Sequence, residues 1–117
     1  MEASDLDTAG EVRTVSESAD AVRVALHGEA DVALAGDLRV RLRELLVAGR
    51  TTVVVDLSAV TFMDSSALGV LVNARRQARV FRGSLTLADP SPPVRRLLAV
   101  TALDRVFEVR DTPAAEA

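Results

Sequence analysis

One short stretch of this sequence, Asp64-Ser65-Ser66, places a carboxylate and two hydroxyls side by side. It precedes a segment whose apolar residues recur at helical spacing. Asp and Ser side chains accept hydrogen bonds from the unpaired N–H groups at a helix start, so the triplet predicts a helix N-terminus. Two interpretations stay open at this point. The triplet only caps the helix, or it also presents a hydroxyl for chemistry.

The helix that follows the triplet has two different apolar sides. Its predicted core face consists of Ala67, Val70, Leu71, Ala74, Ala78 and Phe81. Leu68 and Val72 fall instead toward the side of Ser65, with Gly69 beside them. A small apolar patch next to an accessible hydroxyl is typical of a docking surface. The alternative is that another loop or helix of the domain covers Leu68 and Val72.

The single histidine, His27, is a candidate general base for Ser65 or Ser66. A hydrolytic triad also needs an orienting acid and an oxyanion hole, and the sequence has no G-x-S-x-G element. His27 lies on the polar side of an alternating strand pattern, which favours a surface or loop-packing role. We therefore predict no catalytic residue.

Four carboxylates are expected near strand ends, where α/β proteins commonly bind ligands: Glu29, Asp31, Asp56 and Asp64. Their spacing does not require a cation or acid–base chemistry. We expect Asp56, at the end of a buried strand, to bind loop amides. A small-ligand carrier or enzyme at the strand ends remains a second functional class, but no metal or cofactor site is predicted.

Composition narrows the class of protein further. The chain has 117 residues, 49% of them hydrophobic and 26% charged, which fits one globular domain. Its net charge of −3 argues against a nucleic-acid-binding face. The absence of cysteine and the single histidine exclude thiolate and multi-histidine metal sites. The acidic start lacks a signal-peptide pattern, and no apolar run reaches the ~20 residues of a membrane span, so a cytoplasmic protein is expected.

The elements that must position these residues alternate between strand and helix periodicity. We predict strands near 12–16, 22–26, 52–55, 85–89 and 106–109, helices near 33–48, 65–82 and 94–100, and a loop over 56–63. This order predicts a single α/β domain over residues 11–111, with a mixed β-sheet, an N-terminal antiparallel hairpin and helices packed on the sheet. Residues 1–10 and 112–117 are expected to be flexible ends.

Three motifs in the same order resemble the STAS domain family and, within it, the anti-sigma factor antagonists. The first is LHGEAD at 26–31, the second is VVVDLSAVTFMDSSALGVLVNARR at 53–76, and the third is LADPSPPVRRLL at 87–98. The resemblance covers roughly residues 12–109. The chain departs from the commonest pattern at Ala67, where many relatives have Gly, and at Ala30, where Leu is usual. Neither departure removes a reacting group.

The resemblance implies a phosphorylation switch at Ser65, the serine directly after the motif aspartate. In such antagonists the unphosphorylated form binds an anti-sigma factor that is also a serine kinase, which frees a sigma factor, and a serine phosphatase resets the switch. The chain would then be a binding module, not an enzyme, with no cofactor, no direct nucleic-acid partner and no membrane span. Its expected partner-binding residues are Asp31, Asp64, Ser65, Ser66, Leu68, Gly69 and Val72. The alternative is a phosphorylation-independent STAS scaffold or transport-regulatory subunit.

Overall fold

The fold is a five-stranded sheet with three helices, seen in a computed structural model that describes residues 9–113. The strands are β1 (Glu11–Glu17), β2 (Ala21–Ala30), β3 (Thr52–Met63), β4 (Ser84–Ala88) and β5 (Glu108–Arg110). The helices are α1 (Val32–Val47), α2 (Ser65–Val80) and α3 (Pro92–Val100), and a 3₁₀ turn spans Leu103–Arg105. Of the predicted flexible ends, residues 1–8 and 114–117 lie outside the described residues.

The sheet is mixed, and its strands lie in chain order from β1 to β5. β1 pairs antiparallel with β2 through a tight turn in which the Ser18 N–H donates to the Ala21 carbonyl oxygen over 2.8 Å. The other three pairings are parallel, so each requires a crossover, and the connections through α1, α2 and α3 supply them. The predicted α/β class, hairpin and mixed sheet are confirmed.

The core lies between one face of the sheet and the helices. Rows of β-branched and leucine side chains cross the three central strands, for example Val24 beside Val55 beside Leu87, all fully buried. α1 covers them with the leucines that its sequence spacing predicted: Leu34, Leu38, Leu42, Leu45 and Leu46. Each such side chain contributes roughly 1.5–3 kcal/mol when it leaves water, so this layer is the main source of stability.

The expected loop at 56–63 is wrong, because β3 continues to Met63. Its second half pairs with β2 as far as Ala30, with register shifts between Ala25 and His27 and between Gly28 and Glu29. The extension has a direct consequence for the site. It carries the start of α2 to the same edge of the sheet as the start of α1.

Both long helices end in a left-handed turn, but with different residues. After α1, Gly49 adopts φ +95°, and the Arg50 N–H donates to the Leu45 carbonyl oxygen over 2.9 Å. After α2, Arg82 occupies the left-handed position, and the Gly83 N–H donates to the Ala78 carbonyl oxygen over 2.7 Å. Phe81, predicted on the core face, is half exposed and lies just after the last residue of α2, at its C-cap.

Candidate partner-binding site

The strand register brings two helix starts together at one edge of the sheet. Ala30 and Met63 are register partners on the parallel strands β2 and β3. The next residues along the chain are Asp31 and Asp64, and the Asp64 N–H donates to the Ala30 carbonyl oxygen over 3.1 Å. The two segments therefore leave the sheet side by side and begin α1 and α2 next to each other.

The two aspartates cap their helices in the same way. Asp31 Oδ1 accepts from the Leu34 N–H over 3.2 Å, and Asp64 Oδ1 accepts from the Ala67 N–H over 3.0 Å. Each carboxylate thus satisfies one N–H that the helix leaves unpaired, and it complements the positive end of the helix dipole. The capping interpretation of the Asp64 triplet is confirmed. It does not exclude a further role, because capping uses only the aspartate.

Ser65 and Ser66 are the first two residues of α2, and both are exposed. Their hydroxyls stand at the edge where two helix dipoles direct their positive ends. Such an edge favours an anionic group, and a phosphate on Ser65 would lie beside backbone N–H groups. The structure therefore places the predicted phosphorylation residue on the surface at a helix N-terminus.

The predicted apolar patch beside Ser65 differs from its expected form. Leu68 is only 5% exposed and belongs to the domain core, so it offers no side chain to a partner. Val72 is half-buried and packs against the core, whereas Gly69 is partly exposed with open space around its Cα. The helical spacing did not predict the burial of Leu68, because α2 contacts β3, β4 and α1. These contacts bury more of the helix circumference than one stripe.

Two exposed apolar side chains at this edge were missed by the sequence reasoning. Val32 is the first residue of α1 and so occupies the position that Ser65 occupies on α2. Phe62 is half exposed, near the end of β3. Val32 stands off the leucine stripe of α1, a signal that was present in the sequence. Phe62 lay in the segment interpreted as a loop, so its exposure could not be inferred.

Asp56 is held by several hydrogen bonds. Its Oδ1 accepts from the Ser58 N–H over 2.9 Å and from the Ser58 hydroxyl over 2.7 Å, and its Oδ2 accepts from Arg23 over 3.1 Å. Partial burial acts to raise the pKa of this carboxyl, but the hydrogen bonds from Ser58 and Arg23 together outweigh burial and lower the pKa. The expected binding of a backbone amide is confirmed, although Ser58 lies within β3.

The remaining candidates do not assemble a reactive site in the part of the chain that the structure describes. His27 lies in β2 opposite Glu11, and its buried Nδ1 has no hydrogen-bond partner among residues 9–113. Those residues also contain no group of three or more His, Asp or Glu side chains arranged to hold a metal ion. Within the same range, no helix has the length and apolar character needed to cross a membrane.

Comparison with known protein families shows which family the chain belongs to. The model of the family described as "Mlab, STAS domain" matches residues 13–110, nearly all of the described structure. The chain belongs to the STAS domain family. The resemblance seen in the three sequence motifs is thereby confirmed for the domain as a whole.

Curated relatives in this family include anti-sigma factor antagonists. The anti-sigma-B factor antagonist of Bacillus subtilis is 32% identical over 95 residues, which is 81% of this chain and 86% of that protein. A STAS-domain containing protein of Pseudomonas aeruginosa is 33% identical over 86 residues, 74% of this chain and 84% of that protein. The Bacillus protein is named for a regulatory function, whereas the Pseudomonas protein is named only for its domain.

A solved structure confirms the architecture. The anti-sigma factor antagonist SpoIIAA in its unphosphorylated form superposes with a TM-score of 0.79 and covers 91% of both chains at 24% identity. At that identity the similarity establishes the STAS fold. The placement of two capped helix starts at one sheet edge is therefore a feature of this chain that we derive from its own residues.

Proposed function

We propose that this STAS domain, carried by residues 11–111, is an anti-sigma factor antagonist switched by phosphorylation of Ser65. In its unphosphorylated form it binds an anti-sigma factor that has serine kinase activity, and this binding releases a sigma factor. The observation that carries the proposal is the exposed Ser65 at the first position of α2, directly after Asp64. The antagonist names among the relatives support the same class of function.

Phosphorylation at this position is compatible with the fold. A phosphate adds about −1.5 to −2 charges at pH 7. At the start of α2 it meets unpaired N–H groups and the positive end of the helix dipole, so the helix retains its stability. The Ser65 side chain is exposed, and no core packing has to change.

The same phosphate would oppose a partner that closes over this edge. The surface around Ser65 combines the exposed Val32 and Phe62 with the open face of Gly69. A partner that buries these groups would also have to bury a dianion, which is costly unless new positive charges pair with it. Asp31 and Asp64 add like charge to the same edge and increase that cost.

The residues expected to bind the partner have different roles in the proposed surface. Asp31 and Asp64 orient the two helix starts, Ser65 carries the switch, and Ser66 and Gly69 lie beside it. Val72 contributes its exposed part. Leu68 acts from the core by holding α2 in position.

Affinity capture with paired baits tests the proposal. Wild type and Ser65→Asp are used on a lysate of the source organism, and Ser18→Asp, in the exposed β1–β2 turn at the other end of β2, serves as the control for one added charge. We expect wild type to retain an ATP-binding serine kinase with anti-sigma activity and Ser65→Asp to lose it. Incubation of the purified pair with ATP should then place phosphate on Ser65, and Ser65→Ala should bind without being modified.

A second candidate is a STAS scaffold or transport-regulatory subunit that works without phosphorylation. It is compatible with the name of the matching family and with that of the Pseudomonas relative, which specify only the domain. Retention of the same partner by wild type and Ser65→Asp would favour this candidate and contradict the switch.

A further inference from the structure

A groove follows the line along which α1 and α2 pack against each other. Two adjoining hollows of about 110 and 440 Å³ lie along this contact and share Arg43 and Gln77 in their walls. Arg39 lines the first hollow, and Val47, Val80 and Phe81 line the second. We call this feature the α1–α2 groove. It begins near the middle of the two helices, at Arg39 and Val70, and runs to their C-terminal ends.

The far end of the α1–α2 groove is apolar and open to solvent. Val47 is 73% exposed, Val80 is 75% exposed and Phe81 is 50% exposed. Single exposed apolar side chains are common on protein surfaces, whereas three large ones around one hollow are typical of an interaction site. Phe81 belongs to this end because it directly follows Val80, the last residue of α2, and lines the same hollow.

The wall contributed by α1 is basic. Arg39 and Arg43 are one helical turn apart, and within residues 9–113 neither is in an ion pair. No acidic residue lines either hollow in that part of the chain. Guanidinium groups bind carboxylates through paired hydrogen bonds. The charge of the groove is therefore complementary to an acidic segment.

We propose that the α1–α2 groove binds an acidic amphipathic helix of a partner protein. One apolar side chain of that helix enters the hollow among Val47, Val80 and Phe81. Two of its carboxylates, four residues apart, pair with Arg39 and Arg43, because residues at this spacing lie about 6 Å apart along both helices. A concave seam between two helices fits a helix bound in a groove.

The apolar end of this groove is distant from the phosphorylation switch. α2 has 16 residues, so Phe81 lies about 24 Å along the helix from Ser65. One protein could occupy the Ser65 edge while another occupies the α1–α2 groove. The inference therefore goes beyond the proposed function and does not depend on it.

A synthetic probe of the stated chemistry tests the inference. The probe is a fluorescent amphipathic peptide of about five helical turns, with leucines on one face and glutamates at four-residue spacing beside them. A matched peptide carries glutamine in place of glutamate. We expect the glutamate peptide to bind wild type and Ser65→Asp equally, with amide shift changes in the ¹⁵N spectrum concentrated along α1 and α2.

Variants of the chain then separate the groove from general charge effects. Arg39→Glu combined with Arg43→Glu should raise the Kd of the glutamate peptide about tenfold, and Phe81→Ser should weaken it as well. Arg13→Glu, on β1, is the control for charge reversal and should leave Kd unchanged. All of these side chains are at the surface, and thermal unfolding checks that each variant is folded.

Three results would overturn the inference. The first is absence of binding, or equal binding of the glutamine peptide. The second is a shift map centred outside the groove. The third is a different occupant: vesicles with anionic lipid, or a second copy of the chain in sedimentation, whose association is lost in the same groove variants.

Discussion

The Asp64 N–H donates a hydrogen bond to the Ala30 carbonyl oxygen over 3.1 Å, which joins the start of α2 to the end of β2. The contact is between residues 34 positions apart, and it fixes where Ser65 stands relative to Asp31 and Val32. Because both helices start from the same register pair, any movement of β3 along β2 would separate the two helix starts. The pairing of β2 with β3 therefore determines the position of the proposed switch residue, Ser65.

The capping role of Asp64 predicts a stability effect that depends mainly on its acceptor oxygen. Asp64→Ala removes the acceptor for the Ala67 N–H and should lower the free energy of unfolding by about 1 kcal/mol. Asp64→Asn keeps a side-chain oxygen for the same N–H and should lose much less. Urea unfolding of the two variants distinguishes the effects. Equal losses would mean that the carboxylate acts through its charge.

The order of strands and helices was predictable because each local signal agrees with the fold. Leucines at helical spacing, the alternation around Val24 and the glycine after α1 each specify one element without distant contacts. The same holds for Asp64, whose capping role depends on residues three positions away.

Features set by tertiary contacts were not predictable in the same way. Residues 56–63 carry Asp56, Ser58 and Thr61, which break the apolar pattern, and pairing with β2, joined at Asp56 by pairing with β4, makes them a strand. The burial of Leu68 depends on how many strands and helices contact α2, and the spacing of apolar residues along one helix does not reveal this. The exposure of Phe81 depends on one residue at the helix end, where sequence boundaries are least certain.

The burial of Leu68 predicts a loss of stability when it is shortened. Leu68→Ala should lower the free energy of unfolding by about 2–4 kcal/mol, because it removes core contacts and leaves a cavity. Val32→Ser removes an exposed side chain from the same edge and should change stability little, while weakening partner binding. Denaturant titration combined with a binding assay checks both. A stable Leu68→Ala variant would contradict the burial.

The turn after α2 predicts opposite effects of two neighbouring substitutions. Arg82 has φ +64°, a left-handed conformation that costs a non-glycine residue roughly 1 kcal/mol, so Arg82→Gly should stabilise the chain by up to about that amount. At Gly83 an added Cβ would overlap the Thr51 carbonyl oxygen, so Gly83→Ala should be clearly destabilising. Melting temperatures of the two variants should move in opposite directions. A shift in the same direction would refute this account of the turn.

The lowered pKa of Asp56 predicts part of the response to acid. Ser58 and Arg23 favour the charged carboxylate in the folded state, so Asp56 stabilises the fold above its unfolded pKa of about 3.9. This contribution is lost as the pH falls through the lower folded-state pKa. Asp56→Asn should therefore show a smaller drop in stability between about pH 5 and pH 2 than wild type. Asp37→Asn, on the exposed side of α1, controls for the loss of one negative charge.

Substitution of Gly69 by alanine should raise the stability of the chain and lower its affinity for the partner. A Cβ added there meets no atom within 4 Å, and glycine inside a helix costs about 1 kcal/mol relative to alanine. Gly69→Ala should therefore raise the melting temperature by a few degrees. If a partner closes over the start of α2, the added methyl group occupies space at that interface, and the affinity should fall.

The control for stability is Gly36→Ala. Gly36 lies at the same distance from the cap of α1 as Gly69 does from the cap of α2, and an added Cβ there also meets no atom within 4 Å. Calorimetry measures both quantities on the same samples. A Gly69→Ala variant that is stabilised and binds as tightly as wild type would remove Gly69 from the proposed surface and leave Ser65 to be tested alone.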